Sequence, residues 1–196
     1  MITSRAATAA DLDAATETIT TSFHLDPIWS WALPDPERRP EQYRAFWRLS
    51  IGGALRYDWV RVTDGCESVA VWIPPGGSEL PEEDEAKVEP LLTDLLGEHA
   101  PDVMELLARF EEAQPRAEPH YYLSLLGTHD DHRGKGIGMA LLEENLARID
   151  AEHMPAYLES TNPANLGRYG RLGFVPIGEF SAPDGPTATT MWRAAR

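Results

Sequence analysis

Two rhythms of apolar residues run along the chain, one with the spacing of a helix face and one with that of a strand, and their order predicts an α/β protein. Residues 2–6 predict a short strand, and Asp11 stands where it can cap a helix running to about Phe23. After His24, prolines at 27, 34 and 36 predict a loop that displays Trp29 and Trp31. Phe46, Trp47, Ile51 and Leu55 recur at helical spacing and predict a helix over residues 43–56. The β-branched and aromatic runs at 59–63 and 68–73, joined by Asp64-Gly65-Cys66-Glu67, predict a hairpin that Pro74-Pro75-Gly76-Gly77 closes. Residues 82–112 predict one or two acidic helices interrupted near Ala100-Pro101, with their carboxylates on a solvated face.

The second half is more regular. Residues 120–128 predict a strand through the run from Tyr121 to Leu126, and a glycine-rich segment follows it directly. Ala140, Leu141, Leu142, Leu146 and Ile149 give residues 138–152 a single apolar helical face. A strand at 156–160 and a helix at 162–172, stopped by Gly173, come next. Residues 175–180 and 187–192 predict a terminal hairpin around Asp184-Gly185.

At 196 residues, with 42% apolar and 25% charged positions, the chain has the size and balance of one globular domain over residues 1–196. Its 32 acidic residues against 17 basic ones leave a net charge of −15, which repels phosphate backbones and anionic lipid headgroups. Nucleic acid and membrane surfaces are therefore not expected partners, and cationic ligands are favoured. Cys66 is the one cysteine, so neither an internal disulfide nor a thiolate metal cluster is expected. The first residues lack a basic segment followed by an apolar one, and no apolar run approaches the ~20 residues that span a bilayer. The expected location is cytoplasmic.

The chemistry concentrates in Arg133-Gly134-Lys135-Gly136-Ile137-Gly138, between a strand and an amphipathic helix. Glycines there can turn successive N–H groups toward one point, and the helix N-terminus adds partial positive charge, which suits a pyrophosphate. A tight strand-to-helix connection is the plainer reading of the same letters. A Walker-type loop is excluded because Gly136, and not Ser or Thr, follows Lys135. A dinucleotide fingerprint fails too, since Leu141 stands where the third glycine belongs. His129-Asp130-Asp131-His132 has no distant third ligand and reads as a polar loop, so no metal is expected.

The segment from Arg133 to Gly138 resembles the Arg/Gln-x-x-Gly-x-Gly/Ala signature of the GCN5-related N-acetyltransferase (GNAT) superfamily. The likeness extends through Pro155 to Ser160, then Asn162, Asn165, Tyr169 and Gly173-Phe174, and in motif order it is similar to small-molecule acetyltransferases of the puromycin type. The resemblance implies a central mixed, mostly antiparallel sheet, splayed between two parallel strands and flanked by helices. It also implies acetyl-CoA as co-substrate, its pantetheine arm paired with the backbone of Leu126, Gly127 and Thr128. Arg133, Gly134, Lys135, Gly136, Ile137 and Gly138 would hold the pyrophosphate, and Asn165 would bond the arm from the other side. The acetyl group would pass directly to an amine in a ternary complex, and a homodimer is compatible with the family.

For such a transfer Tyr169 matches the superfamily's proton donor to the departing thiolate, with packing against Leu172 and Phe174 as its other reading. Glu159 can take the amine's proton, directly or through water, or can simply brace its loop. Gly167-Arg168 precedes Tyr169 where the puromycin type has an aromatic residue, so the acceptor side is expected to differ. Trp29 and Trp31, with Phe46 and Trp47 on the next helix, are candidate walls for an amine with an apolar or aromatic body, core packing being the plainer reading for Phe46 and Trp47. The leading expectation is a small-molecule amine acetyltransferase of the resistance or detoxification kind. A protein or peptide amine acetyltransferase and a non-catalytic acyl-CoA-binding module stand as alternatives.

Overall fold

A computed structural model describes residues 3–196, so Ile2, where the first strand was expected to begin, lies outside the described residues. The strand itself is β1, Arg5–Ala6. Asp11 does not cap the helix after it: its carboxylate accepts from the Arg5 guanidinium at 2.7 and 2.6 Å and from the Thr8 N–H at 2.8 Å. That closes a short 3₁₀ turn, Ala9–Asp11, from which α1, Leu12–Phe23, continues.

The tryptophan loop is in part a helix, α2, Pro27–Ala32. Proline breaks a helix from within but starts one well at its first position, where no N–H is needed. Asp26 completes the start by accepting from the N–H groups of Ile28 and Trp29 at 3.1 and 3.2 Å. Arg39, buried, then ties the loop down, donating to the carbonyls of Leu33 at 2.6 Å, Pro34 at 2.9 Å and His24 at 3.0 Å. It opens α3, Arg39–Ala54.

Strands β2, Val60–Val62, and β3, Ser68–Ile73, form the expected hairpin, with Cys66 in the left-handed region of its turn. Three helices follow: α4, Glu82–Glu85, α5, Val88–Leu96, and α6, Ala100–Ala113. The break falls at Gly97, with φ of +57°, and Pro101 lies in the first turn of α6. α4 buries no residue, whereas α5 and α6 are solvated on one side only, because Leu92, Val103 and Leu106 are fully buried. Strand β4, Tyr121–Thr128, leads through the glycines to α7, Ile137–Ala151, and then to β5, Ala156–Ser160. The helix expected from residue 162 begins with a 3₁₀ turn, Pro163–Asn165, before α8, Leu166–Arg171. A hairpin of β6, Val175–Ser181, and β7, Thr187–Arg193, closes the chain.

The seven strands form one sheet in the order β1-β2-β3-β4-β5-β7-β6. Among the described residues only β4 and β5 run parallel. Alternating residues divide its interior into two cores. On one face Val71, Tyr122 and Leu125 meet the aromatic layer of α2 and α3, including Trp29, Phe46 and Trp47. On the other, Trp72, Leu123 and Leu158 meet Leu141, Leu142, Leu146 and Ile149 of α7.

The feature that positions the site is a parting of strands. β4 and β5 pair at Tyr121–Ala156, Tyr122–Tyr157 and Leu123–Leu158 and then separate. Beyond that point β5 stays with β7 as far as Ser160–Thr189. β4 stays with β3 through a bulge, since Val71 faces Leu125 while Trp72 faces Leu123, leaving Ser124 as the extra residue. A bulge bends its strand, and here the bend begins where the pairing to β5 ends.

Candidate active site

Ser124 and Glu159 are the first residues past the last β4–β5 pair, and the wedge between them opens into a cleft of about 920 Å³. The side of β4 that faces β5 has no strand beside it from Leu125 to Thr128, so its backbone groups remain open to a ligand. Leu126 lines the cleft. Gly127 is needed on the other side of the strand, where a Cβ would run into Ser22 and Ile19 of α1. Thr128 is held by Ser68, whose Oγ lies 3.1 Å from Thr128 Oγ1.

Beyond β4 the chain makes the glycine turn. Gly134 and Gly136 have φ of +76° and +75°, with nothing within 4 Å of where a side chain would begin. Among the described residues no backbone carbonyl takes the N–H of Gly134, Lys135 or Gly136, and the first N–H groups of α7, at Ile137 and Gly138, are unpaired by helix geometry. The result is an open cradle of N–H donors at a helix N-terminus, the arrangement that takes a phosphate. Gly138 belongs to it for a different reason than expected. Its backbone is helical, and a Cβ there would come within 2.6 Å of Thr128 Oγ1, so this glycine lets α7 sit tightly on β4.

Arg133 lines the cleft and donates to the carbonyls of Ser22 at 2.8 Å and Thr21 at 3.1 Å, at the end of α1. Lys135 donates to the Asp131 carbonyl at 3.0 Å. Across the wedge Asn165 also lines the cleft, its side-chain oxygen accepting from Arg168 at 2.9 Å.

Tyr169 and Glu159 share the cleft. Burial pushes the Tyr169 phenol up to about 12, Asp26 adding to the shift and Arg168 opposing it, so it keeps its proton at any working pH. Its ring also packs edge-on against Phe174, centroids 6.2 Å apart, so packing and a free hydroxyl coexist. Burial pushes the Glu159 carboxyl up to about 8, against the pull of the Tyr157 and Tyr122 hydroxyls, with Glu79 adding repulsion. One of its oxygens, Oε1, is buried without a hydrogen-bond partner among the described residues. A carboxyl poised near neutrality with a free oxygen suits proton transfer.

The two tryptophans part company. Trp29 lines the cleft and is 6% exposed, stacked on Phe110 with centroids 6.0 Å apart and edge-on to Trp47 at 4.5 Å. Trp31 does not reach the cleft: its ring packs on His99 at 5.1 Å and against Gly185 of the last hairpin. Helical periodicity explains the split, because residues two apart on α2 face nearly opposite ways. Phe46 and Trp47, for which core packing was the plainer expectation, are buried and also line the cleft.

Two further residues enter that the sequence did not single out. Asp26 caps α2 with one oxygen and with the other accepts from Thr161 at 2.7 Å, joining the two walls of the cleft near Tyr169. Asp followed by Pro is a helix-start signal, which is where this residue was legible. Glu79, from the loop after β3, accepts from Ser124 at the bulge. Nothing in its local sequence marks it.

The comparisons with known proteins divide along the same lines. The family model described as "Acetyltransferase (GNAT) domain" matches residues 109–194, which hold the glycine turn, Glu159, Asn165 and Tyr169 but neither Trp29 nor Glu79. Curated L-methionine sulfoximine/L-methionine sulfone acetyltransferases of Pseudomonas aeruginosa and Pseudomonas paraeruginosa are 43% identical over 54 residues, 26% of this chain, and the match spans 31% of their length. Over the whole chain, the solved structure described as histone acetyltransferase HPA2 and related acetyltransferase, from Corynebacterium glutamicum, is 27% identical with a TM-score of 0.68, covering 100% of this chain and 98% of that one. Arylalkylamine N-acetyltransferase 2 from Aedes aegypti shares the fold at 15% identity and a TM-score of 0.63, covering 100% and 99%.

Proposed function

We propose, from the premise that this chain is a GNAT acetyltransferase with its family domain at residues 109–194, that it moves the acetyl group of acetyl-CoA onto the primary amine of a small molecule. The observation that carries the reading is the wedge between β4 and β5, which opens at Ser124 and Glu159 into the cleft that also holds Tyr169. The whole chain acts as one catalytic domain in a direct transfer within a ternary complex.

The donor lies along β4, with the backbone of Leu126, Gly127 and Thr128 pairing to its arm. Gly134 to Gly138 take the pyrophosphate on their N–H groups, with Arg133 and Lys135 beside them and Asn165 across the wedge. The amine enters from the aromatic side, past Trp29. Glu159 accepts its proton, directly or through water, and the freed nitrogen attacks the thioester carbonyl. As the C–S bond breaks, the sulfur takes a proton from the Tyr169 hydroxyl, and the nitrogen's remaining excess proton restores the phenol. Charge on the departing thiolate is thus never left bare in a cleft already rich in carboxylates.

The acceptor side argues for an amine with an apolar or aromatic body. Trp29, Phe46, Trp47 and Phe110 supply flat apolar surface, and the carboxyls of Asp26, Glu79 and Glu159 favour a cation. The test follows thiol release from acetyl-CoA across aminonucleosides, arylalkylamines, polyamines, aminoglycosides, amino acids and peptide N-termini. Transfer to arylalkylamines or aminonucleosides ahead of peptides and aminoglycosides is the expected result. Binding of acetyl-CoA without thiol release in the presence of any amine would overturn it in favour of a silent acyl-CoA-binding module.

A further inference from the structure

Glu79 is presented to the cleft by a loop that is built around it. Between β3 and α4, Arg56 reaches over the Tyr57 ring, 4.4 Å from its centroid, and donates to the carbonyls of Ser78 and Glu79 and to Ser78 Oγ. The Ser78 N–H donates to the Tyr57 hydroxyl at 3.2 Å. Gly77 is required beneath it, since a Cβ would lie 2.8 Å from that hydroxyl, and Gly53 of α3 is required beside it, since a Cβ would lie 2.7 Å from Leu80. The Arg56 guanidinium thus engages the backbone of the loop, and among the described residues no ion pair is formed by the Glu79 carboxylate. Among the described residues that carboxylate has one hydrogen-bond partner, Ser124.

Ser124 is the bulge residue of β4, and Glu159 is the first residue of β5 past the last pair, so the two carboxyls border the mouth of the wedge from opposite sides. Both act on the Tyr122 hydroxyl, which burial first, and then Glu159 and Glu79, push well above the ordinary phenol value. Two carboxyls, Glu79 at the exposed rim and Glu159 with an oxygen unsatisfied among the described residues, face one cleft whose guanidiniums, Arg116 and Arg133, pair instead with Glu111 at 3.8 Å and Asp130 at 2.7 Å, and so offer a seat for a cationic ligand.

We infer that Glu79 seats the acceptor's ammonium group opposite Glu159 and thereby selects amines that carry no carboxylate on the carbon next to the nitrogen. The inference rests on the acetyltransferase reading above and deepens it. An α-amino acid would place its carboxylate beside the Glu79 carboxylate and the Glu159 carboxyl, whereas the corresponding simple amine brings only the cation. The relatives named for L-methionine sulfoximine match a segment too short to include the residues of this seat.

The experiment uses the full chain and a matched pair of probes, 2-phenylethylamine and phenylalanine, which differ by one carboxylate. Calorimetry measures the binding of each to the wild type and to Glu79→Gln and Glu79→Asp, with circular dichroism and acetyl-CoA affinity recorded on the same samples. The wild type is expected to bind the amine at least about tenfold more tightly than the amino acid. Glu79→Gln is expected to lose about 10- to 100-fold in amine affinity, the worth of one hydrogen bond to a charged group, while holding acetyl-CoA as before. Glu79→Asp should recover part of the loss, and the preference over phenylalanine should narrow in Glu79→Gln. Equal amine affinity in folded Glu79→Gln, or no amine binding by the wild type, overturns the inference. Thiol release is followed in parallel: if the binding contrast appears and no acetyl group is transferred, the seat stands and the acetyltransferase reading falls.

Discussion

The two sides of the cleft are built by different means. The side proposed for the donor is made of backbone: a strand edge unpaired among the described residues at Leu125 to Thr128 and a glycine turn at a helix N-terminus. The side proposed for the acceptor is made of side chains that arrive from α2, α3, α6, the loop after β3 and the strands β4 and β5. Backbone recognition needs only that certain residues be small or left-handed, so it writes a contiguous motif. Side-chain recognition needs convergence in space, so its parts are scattered and each looks ordinary where it stands.

The sharpest way to break this contrast is to attack the donor turn. Gly136→Val forces a β-branched residue into the left-handed region and removes several N–H contacts at once, so acetyl-CoA affinity is expected to fall more than about 100-fold. The fold should survive, because nothing lies where the new side chain begins. Gly138→Val serves as its control: it meets Thr128 and should lower the melting temperature as well as affinity. Isothermal titration with melting curves separates the two, and equal affinity in folded Gly136→Val would place the pyrophosphate elsewhere.

Next in size is Tyr169→Phe, which removes the hydroxyl and leaves the ring packed edge-on against Phe174. Turnover is expected to fall about 100-fold with acetyl-CoA binding unchanged, as judged by single-turnover rates and titration. Wild-type chemistry in that variant would assign the ring to packing alone.

Glu159 is tested by pH. Its carboxyl is raised from 4.5 to about 8, so the base form accumulates, and the rate should climb, as pH rises through about 8. Glu159→Gln should lose that rising limb. The stability effect has a definite sign as well: a raised carboxyl contributes fully below 4.5, and its contribution is lost as pH rises toward and through about 8. Between pH 6 and pH 9 the wild type should therefore lose more melting temperature than Glu159→Gln. Parallel melting curves would remove the charge at Glu159 from the account.

The smallest effect sharpens the comparison within one helix. Trp29→Ala should destabilise by about 3–5 kcal/mol and raise KM for an aromatic amine, since the ring is buried and lines the cleft. Trp31→Ala should leave that KM within about twofold. A larger change in KM at Trp31 than at Trp29 would reverse the assignment of the two faces.

The order of elements from β2 to β7 was legible because each strand and helix there has its own period and its own punctuation, such as Gly173 with φ of +96° after α8. The turn from Arg133 to Gly138 was legible for the same reason. The tryptophan loop was misread because Pro27 was taken as a breaker, when Asp26 in front of it makes it a helix start. Asp26 and Glu79 were missed as site residues because a carboxylate in a loop carries no local sign of what it will face.

By itself the amino-acid sequence determined the fold class, the donor motif and the candidacy of Tyr169 and Glu159, since these depend on periodicity, on glycine's backbone freedom and on a contiguous pattern. Tertiary structure alone decided which tryptophan faces the cleft, why Gly138 must be small, where β4 leaves β5, and that Glu79 meets Ser124 across 45 positions of chain. Those outcomes depend on how a bulge bends one strand and on which helix face packs inward. Both are settled only when distant segments compete for the same space.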